Sequence, residues 1–440
     1  MEREAFEELK EWKNRPNRKP MLIQGARQVG KTWLMREWGK REYEKCAYIS
    51  FADEPQAAQI FEGGYQVQAI VDAISLMSGV RVTPGNTLII LDEIQECERA
   101  LQALKYLKEH APEYHIIAAG SLLGVAVRYR KMSFPVGQVD MLTLRPLSFR
   151  EFLSAMGEHA LKETIEGDNT ALLSLVHEKV ERYLKLYMYI GGLPEVVATY
   201  ATTRDLAEVR RIQFQIIRGY ENDFSKYTEG RDVPRIHAVW RAMPMQLAKE
   251  NKKFVYKYVG EGARAREYEK AVEWLLLCGL LHRVRRVSKP GVPLSAYESM
   301  NAFKLYAVDC GLLSALSGLD AKSLVLGNAV FEEFKGALTE QYVLQELLCT
   351  SRQCISYWEA DNGTAEVDFV AQYADRVVPI EVKASVNLRS RSLASYRQRY
   401  APLASVRTSL ARYEYNSGLY NVPLYAISQL SRILHVAERW

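Results

Sequence analysis

The sequence predicts an α/β chain of several domains, on three observations. In the first third, short apolar runs alternate with helically spaced stretches. After the first run, two glycines, a lysine and a threonine stand at phosphate-loop spacing. Two alternating, acid-bearing runs at 365–370 and 376–383 predict a second sheet of different build. The chain has 440 residues, 48% hydrophobic and 25% charged, which is material for two or three cores and excludes disordered and fibrous classes. A net charge of +5 permits an acidic partner without requiring one.

The elements follow in order. Phe6, Leu9 and Trp12 give a lead-in helix over 4–12, and the polar turn 14–20 delivers the chain into an apolar strand at 21–23. Gly25-Ala26-Arg27-Gln28-Val29-Gly30-Lys31-Thr32 then matches the Walker A spacing. Gly25 and Gly30 allow the sharp turn that aims the N–H groups of the loop, Gln28 and Val29 included, at phosphate oxygens. Lys31 would reach the β- and γ-phosphates of ATP, and Thr32 would place its hydroxyl on Mg²⁺. The bland alternative, a glycine turn before any helix, is weakened by the strand before the loop and the helical spacing after it.

A strand is expected at 46–51, a helical stretch at 54–77, and a strand buried on both faces at 87–93. That third strand ends in Asp92-Glu93, which fits a Walker B site: Asp92 in the Mg²⁺ shell, Glu93 polarising the attacking water. A solvated strand end would look the same in isolation; the upstream loop favours the catalytic pair. A helix at 99–109 and a strand at 114–119 lead to Ser121, which reads equally as a γ-phosphate sensor or a helix N-cap. After a strand at 141–144, Ser148 and Glu151 form a capping box that starts the helix leaving this domain.

GARQVGKT, TLIILDEIQ, AAGSLLG, FPVGQV and LRPLSFREFL resemble the nucleotide domain of a bacterial and archaeal AAA-type ATPase family related to the signal-transduction NTPases. The resemblance continues through Gly191-Gly192-Leu193-Pro194, Asp309-Cys310-Gly311 and Glu381-Val382-Lys383. It implies a P-loop NTPase parallel sheet, ATP hydrolysis, and a C-terminal domain of unknown function. Ala26 departs from the proline of many relatives, and Gln138 from an arginine. A nucleotide-sensing role for that arginine would be absent here or fall to Arg128, Arg130 or Arg145.

Beyond the nucleotide domain (1–155), helical spacing fills a lid at 156–230. It is interrupted by Gly191-Gly192 and Pro194, read either as a helix end that proline keeps from resuming or as a turn packed near the nucleotide. Residues 231–327, with a wing at 294–305, resemble a winged helix. There Lys249, Lys252, Lys253, Lys257, Arg264 and Arg266 interleave with Phe254, Tyr256 and Tyr258, either a phosphate-contacting cluster or a solvated face.

The final domain is expected over 328–440. A helix at 337–347 carries Glu340, and the strands around Ala374-Asp375, with Tyr373 facing Arg376, set Asp368 opposite Glu381 and Glu366 opposite Lys383. Two facing carboxylates want a cation between them. With Lys383 alongside, this is the D…E-x-K constellation of the restriction-endonuclease-like (PD-(D/E)XK) fold. Asp368, Glu381 and Glu340 would hold Mg²⁺ or Mn²⁺, and Lys383 would orient water or stabilise phosphate charge. A solvated ladder with a plain Glu366–Lys383 pair is the alternative.

These elements give an ATP-driven switch in which turnover gates a nuclease-like domain acting on DNA or RNA. The rival is a regulatory ATPase whose last domain only binds protein or nucleic acid, alone or as a homo-oligomer. Six scattered cysteines without C-x-x-C pairs and a charged Met1-Glu2-Arg3-Glu4 start predict reduced thiols and a cytoplasmic protein. The longest apolar run, 274–281, falls short of the ~20 residues that span a bilayer, so no membrane partner is expected. The seven histidines show no H-E-x-x-H spacing, and no zinc site is expected.

Overall fold

The structure, a computed structural model, describes the chain except residues 168, 227, 229, 250, 322–328, 351–353, 361–362, 386–389 and 435–440. The expected boundary at 327/328 lies outside the described residues. After α1 (Ala5–Asn14), five parallel strands form the first sheet: β1 (Met21–Gln24), β2 (Lys45–Ser50), β3 (Thr87–Asp92), β4 (His115–Gly120) and β5 (Asp140–Thr143), in the order β2-β3-β4-β1-β5. β3 and β4 are buried along their whole length, which explains their unbroken apolar runs. α2 (Lys31–Glu42), α3 (Val67–Ser78), α4 (Glu98–His110) and α5 (Leu123–Tyr129) connect them. The expected single helical stretch at 54–77 is instead a 3₁₀ segment, Pro55–Phe61, and then α3; Gly63-Gly64 separates the two.

The capping box forms as expected. Ser148 Oγ accepts from Glu151 N at 3.2 Å and Glu151 Oε2 accepts from Ser148 N at 2.9 Å, opening α6 (Phe149–Ala155). Helices α7 (His159–Glu166), α8 (Thr170–Leu175), α9 (His177–Ile190), α10 (Pro194–Thr203) and α11 (Leu206–Asp223) follow. Gly191 ends α9 at φ 80°, where a side chain would be strained. Pro194 does not merely block α9; it opens α10 at the first helical position, where its missing N–H is harmless.

The helices α12 (Val233–Leu247) and α13 (Ala265–Leu277) precede the hairpin β6 (Leu281–Val287) and β7 (Glu298–Ala307). The hairpin is not a free wing. β6 pairs in parallel with β8 (Ile355–Glu359), so both strands join an eight-stranded mixed sheet. After α14 (Cys310–Leu316) and the long α15 (Ala329–Thr350), that sheet adds β9 (Glu366–Tyr373), β10 (Arg376–Val382), β11 (Ser405–Ser409), β12 (Glu414–Asn416) and β13 (Leu419–Pro423). A helix, α16 (Arg391–Tyr400), precedes β11. The order is β12-β13-β11-β10-β9-β8-β6-β7. One apolar core runs from Leu9 and Trp12 through Tyr187 and Trp240 to Tyr342 and Ile380, uniting one face of the first sheet with the lid and the second sheet. Another core covers the opposite face of the first sheet.

Part of the basic and aromatic cluster serves this packing. Phe254 is buried and stacks on Phe303 with ring centroids 5.6 Å apart, and Lys252 turns inward, while Lys257, Arg264 and Arg266 stay exposed.

Candidate functional site

The strand order brings the carboxyl ends of β1, β4 and β3 side by side, and there the phosphate-loop residues meet the acids. Gly25 (φ 148°), Gln28 (φ 64°) and Gly30 (φ 94°) turn the loop. α2 starts after Gly30 with no side-chain cap, leaving its N-terminal N–H groups free of any side-chain acceptor. Lys31 is 7% exposed and its Nζ donates to the Gly25 and Ala26 carbonyls at 2.9 and 2.7 Å. Burial lowers its pKa to about 8, against the opposing pull of Glu93 and Asp92. Thr32 Oγ1 donates to Asp92 Oδ2 at 2.6 Å, and Tyr48 Oη donates to the same oxygen at 3.0 Å. A hydroxyl and a carboxylate so placed are oxygen donors of the kind Mg²⁺ takes.

Glu93 stands in the left-handed region at φ 50°, a strained conformation for a non-glycine residue. Its Oε2 receives Gln95 Nε2 at 2.6 Å and Ser121 Oγ at 3.1 Å. Ser121 is therefore not the cap of α5, whose N-cap is Leu122; it holds the glutamate. Gly120 makes room for Gln95, because a Cβ there would lie 2.7 Å from Gln95 Oε1.

Of the arginines named for sensing, Arg128 and Arg130 lie 3.7 Å from Glu273 and Glu96 respectively. The Arg145 carbonyl accepts from Arg3 Nη2 at 2.7 Å.

Arg3 and the contacts of Asp309 were not singled out beforehand. Arg3, buried, bonds Glu151 at 3.0 Å and the Val29 carbonyl at 3.0 Å, tying the loop to the capping box. The two glycine-bearing motifs meet: Asp309 Oδ2 accepts from Gly192 N at 2.6 Å, and Oδ1 from Leu312 N at 2.9 Å. Their turn sets Pro194 3.4 Å from where a Cβ on Gly30 would stand, so the Gly-Pro turn packs on the phosphate loop. Helical spacing gives no sign of the Arg3 and Asp309 contacts, while both readings of the Gly-Pro turn bear on what is seen: Gly191 ends α9 and the turn packs on the phosphate loop.

The second cluster lies on β9, β10 and α15. The antiparallel register runs from Tyr373 opposite Arg376 to Phe369 opposite Ile380, as expected, which brings Asp368 to Glu381. Asp368 Oδ2 accepts from Val382 N at 2.8 Å. Burial first, then the charges of Glu340 and Glu381, hold its pKa well above the usual carboxylate range. Lys383 pairs with Glu381 at 2.8 Å. The Glu366–Lys383 pair of the alternative reading does not form: Lys304 of β7, fully buried, takes Glu366 at 2.5 Å. Lys252 takes Glu340 Oε1, whose second oxygen accepts from Tyr306 at 3.2 Å. The sequence-predicted Glu340, Asp368, Glu381 and Lys383 thus come together, with two lysines that the hairpin pattern could not reveal. As these side chains stand, no three His, Cys, Asp or Glu among the described residues are disposed to hold a metal.

Comparison with known proteins places residues 17–153 in the family model described as AAA domain. Residues 181–323 and 335–427 match two domains of unknown function, DUF8612 and DUF4143. The five-stranded parallel sheet of residues 17–153 matches a P-loop NTPase core, in keeping with the AAA domain match. Among solved structures, the Walker-type ATPase PABY2304 of Pyrococcus abyssi is 14% identical over 72% of this chain and 95% of its own, with a TM-score of 0.46. The ORC2 protein of Aeropyrum pernix is 14% identical over 76% and 93%, with a TM-score of 0.35. The RuvB branch migration motor of Thermotoga maritima is 13% identical over 64% and 90%, with a TM-score of 0.30. The search of curated proteins gives no match. No described helix is long and apolar enough to cross a membrane.

Proposed function

We propose that this chain is an ATP-binding and ATP-hydrolysing switch protein whose turnover governs the acid–lysine centre of the eight-stranded sheet. The observation that carries the ATPase reading is the chain of contacts Thr32–Asp92–Glu93–Ser121 at the ends of adjacent strands. Gly25, Gln28, Val29, Gly30 and Lys31 would cradle the phosphates, and Thr32 and Asp92 would hold Mg²⁺. Glu93, released from Ser121 and Gln95, would accept a proton from the attacking water. Coupling to the second sheet is supported by two contacts. A Cβ on Gly279, just before β6, would lie 3.3 Å from Ala26 N of the phosphate loop. Glu346 of α15 accepts from Phe149 N, at the start of α6, at 2.8 Å.

At the second centre, the facing Asp368 and Glu381 with Lys383 beside them favour metal-dependent cleavage of DNA or RNA. Glu381 Oε2, buried and without a hydrogen-bond partner, fits a Mg²⁺ or Mn²⁺ ligand. Bound there with Asp368 and Glu340, such an ion would supply Lewis-acid activation of a phosphodiester. Lys383 would hold water or the developing charge. The engagement of Glu340 and Glu366 by Lys252 and Lys304 favours a second reading, a module that binds nucleic acid or protein without cutting.

Two variants test the ATPase. Lys31→Ala should abolish ATP binding. Glu93→Gln should keep binding while turnover falls ~10²–10⁴-fold. Undiminished affinity in the first, or wild-type turnover in the second, removes the assignment. Incubation with plasmid or RNA, Mn²⁺ and ATP separates the two readings of the second centre.

A further inference from the structure

We propose that Lys252 is a stand-in cation: its ammonium takes the place at Glu340 that a divalent ion would take, and so keeps the carboxylate centre closed to metal. This rests on the metal-centre reading above and adds its regulation.

Four carboxylates, Glu340, Glu366, Asp368 and Glu381, face three lysines, and the lysines differ in how they are held. Lys304 sits inside β7 at 0% exposure, bonded to Glu366. Lys383 lies one residue past β10, its N–H bonded to the Thr408 carbonyl of β11 at 2.8 Å. Lys304 is locked by its burial, and Lys383, with its side chain 30% exposed, pairs with Glu381 rather than with Glu340. Lys252 belongs to no helix or strand: it is on the connection from α12 to the short turn at 256–258. The connection is fastened just beyond it by the bond from Phe254 N to the Phe303 carbonyl at 2.8 Å. A lysine on a four-carbon stem can swing from such a position while the backbone stays put.

The consequence for the centre is direct. With Lys252 on Oε1 and Tyr306 on Oε2, Glu340 has both oxygens engaged and neither turned to a metal shared with Asp368. Glu381, only 5% exposed, keeps Oε2 buried and unpartnered. Glu381 keeps one oxygen free beside Lys383, but Glu340 has none free beside Lys252 and Tyr306, and an ion brought against that ammonium would be repelled most where water is excluded. Metal entry therefore requires Lys252 to leave.

The test uses the full-length protein and Mn²⁺ alone, followed by titration calorimetry and thermal shift. Lys252→Gln should bind Mn²⁺ at least tenfold more tightly than wild type and gain more thermal stability from it. Lys252→Arg, which keeps the charge, should stay at the wild-type level. Adding Asp368→Asn to Lys252→Gln should cancel the gain. A readout that needs no folded variant is the reactivity of Lys252 in the wild type toward an acetylating reagent, measured by mass spectrometry. Saturating Mn²⁺ should raise it while Lys304 stays protected. If wild type binds Mn²⁺ and Lys252→Gln binds no more tightly, or Mn²⁺ leaves Lys252 labelling unchanged, the stand-in role is wrong and the metal centre survives. If neither protein binds Mn²⁺, both fall.

Discussion

Replacing Glu346 by glutamine should change how stability depends on pH. Glu346 is fully buried on α15; Oε1 accepts from Phe149 N at 2.8 Å, and Oε2 has no partner. Its pKa rises from the ordinary 4.5 to about 8, chiefly by burial, with Glu4 and Glu151 adding to the rise and the Phe149 N–H and Arg150 opposing it. A carboxyl raised in the folded state holds a proton there that the unfolded chain has released. Its contribution is complete below pH 4.5, fades as pH climbs through about 8, and is then spent. At ~1.4 kcal/mol per unit, and with the group half titrated at pH 8, wild type should lose ~2 kcal/mol between pH 6 and pH 8 through this group. For a cooperative unit of about 150–250 residues that corresponds to roughly 4–8 °C in the melting temperature. Glu346→Gln keeps a carbonyl for Phe149 N–H and cannot titrate. Thermal melts of both proteins at pH 6, 7, 8 and 9 should therefore diverge, with the variant ahead at high pH. Parallel profiles, or a variant that loses ground at pH 9, would refute the assignment of a neutral buried carboxyl.

Two further outcomes follow from the contacts. Asp368→Asn should abolish any stabilisation by Mg²⁺ or Mn²⁺ together with nuclease activity, whereas Lys383→Ala should keep or raise metal affinity while cleavage falls; thermal shift and a plasmid assay read both. Asp309→Ala strips two buried N–H groups, of Gly192 and Leu312, of their acceptor. It should cost ~2–5 kcal/mol and weaken nucleotide binding through the Pro194 turn, as a melt and a fluorescent-nucleotide titration would record.

The sequence by itself determined whatever short-range rules control. The phosphate loop, the Asp92-Glu93 strand end and the Ser148–Glu151 box are each set by residues within eight positions of one another. The Asp368–Glu381 facing pair followed from one tight turn, because strand register propagates rigidly from Tyr373 and Arg376. The tertiary structure alone decided which partners arrive from far along the chain. Ser121 reads alike as cap and as sensor until β4 is laid beside β3, where its hydroxyl meets Glu93. Lys304 reaches Glu366 because β6 pairs with β8, and Lys252 reaches Glu340 from 88 positions away. A local pattern reports which face of an element is buried; it holds no record of which distant charge fills the space opposite. The balance of charge in the second centre was therefore decided by packing.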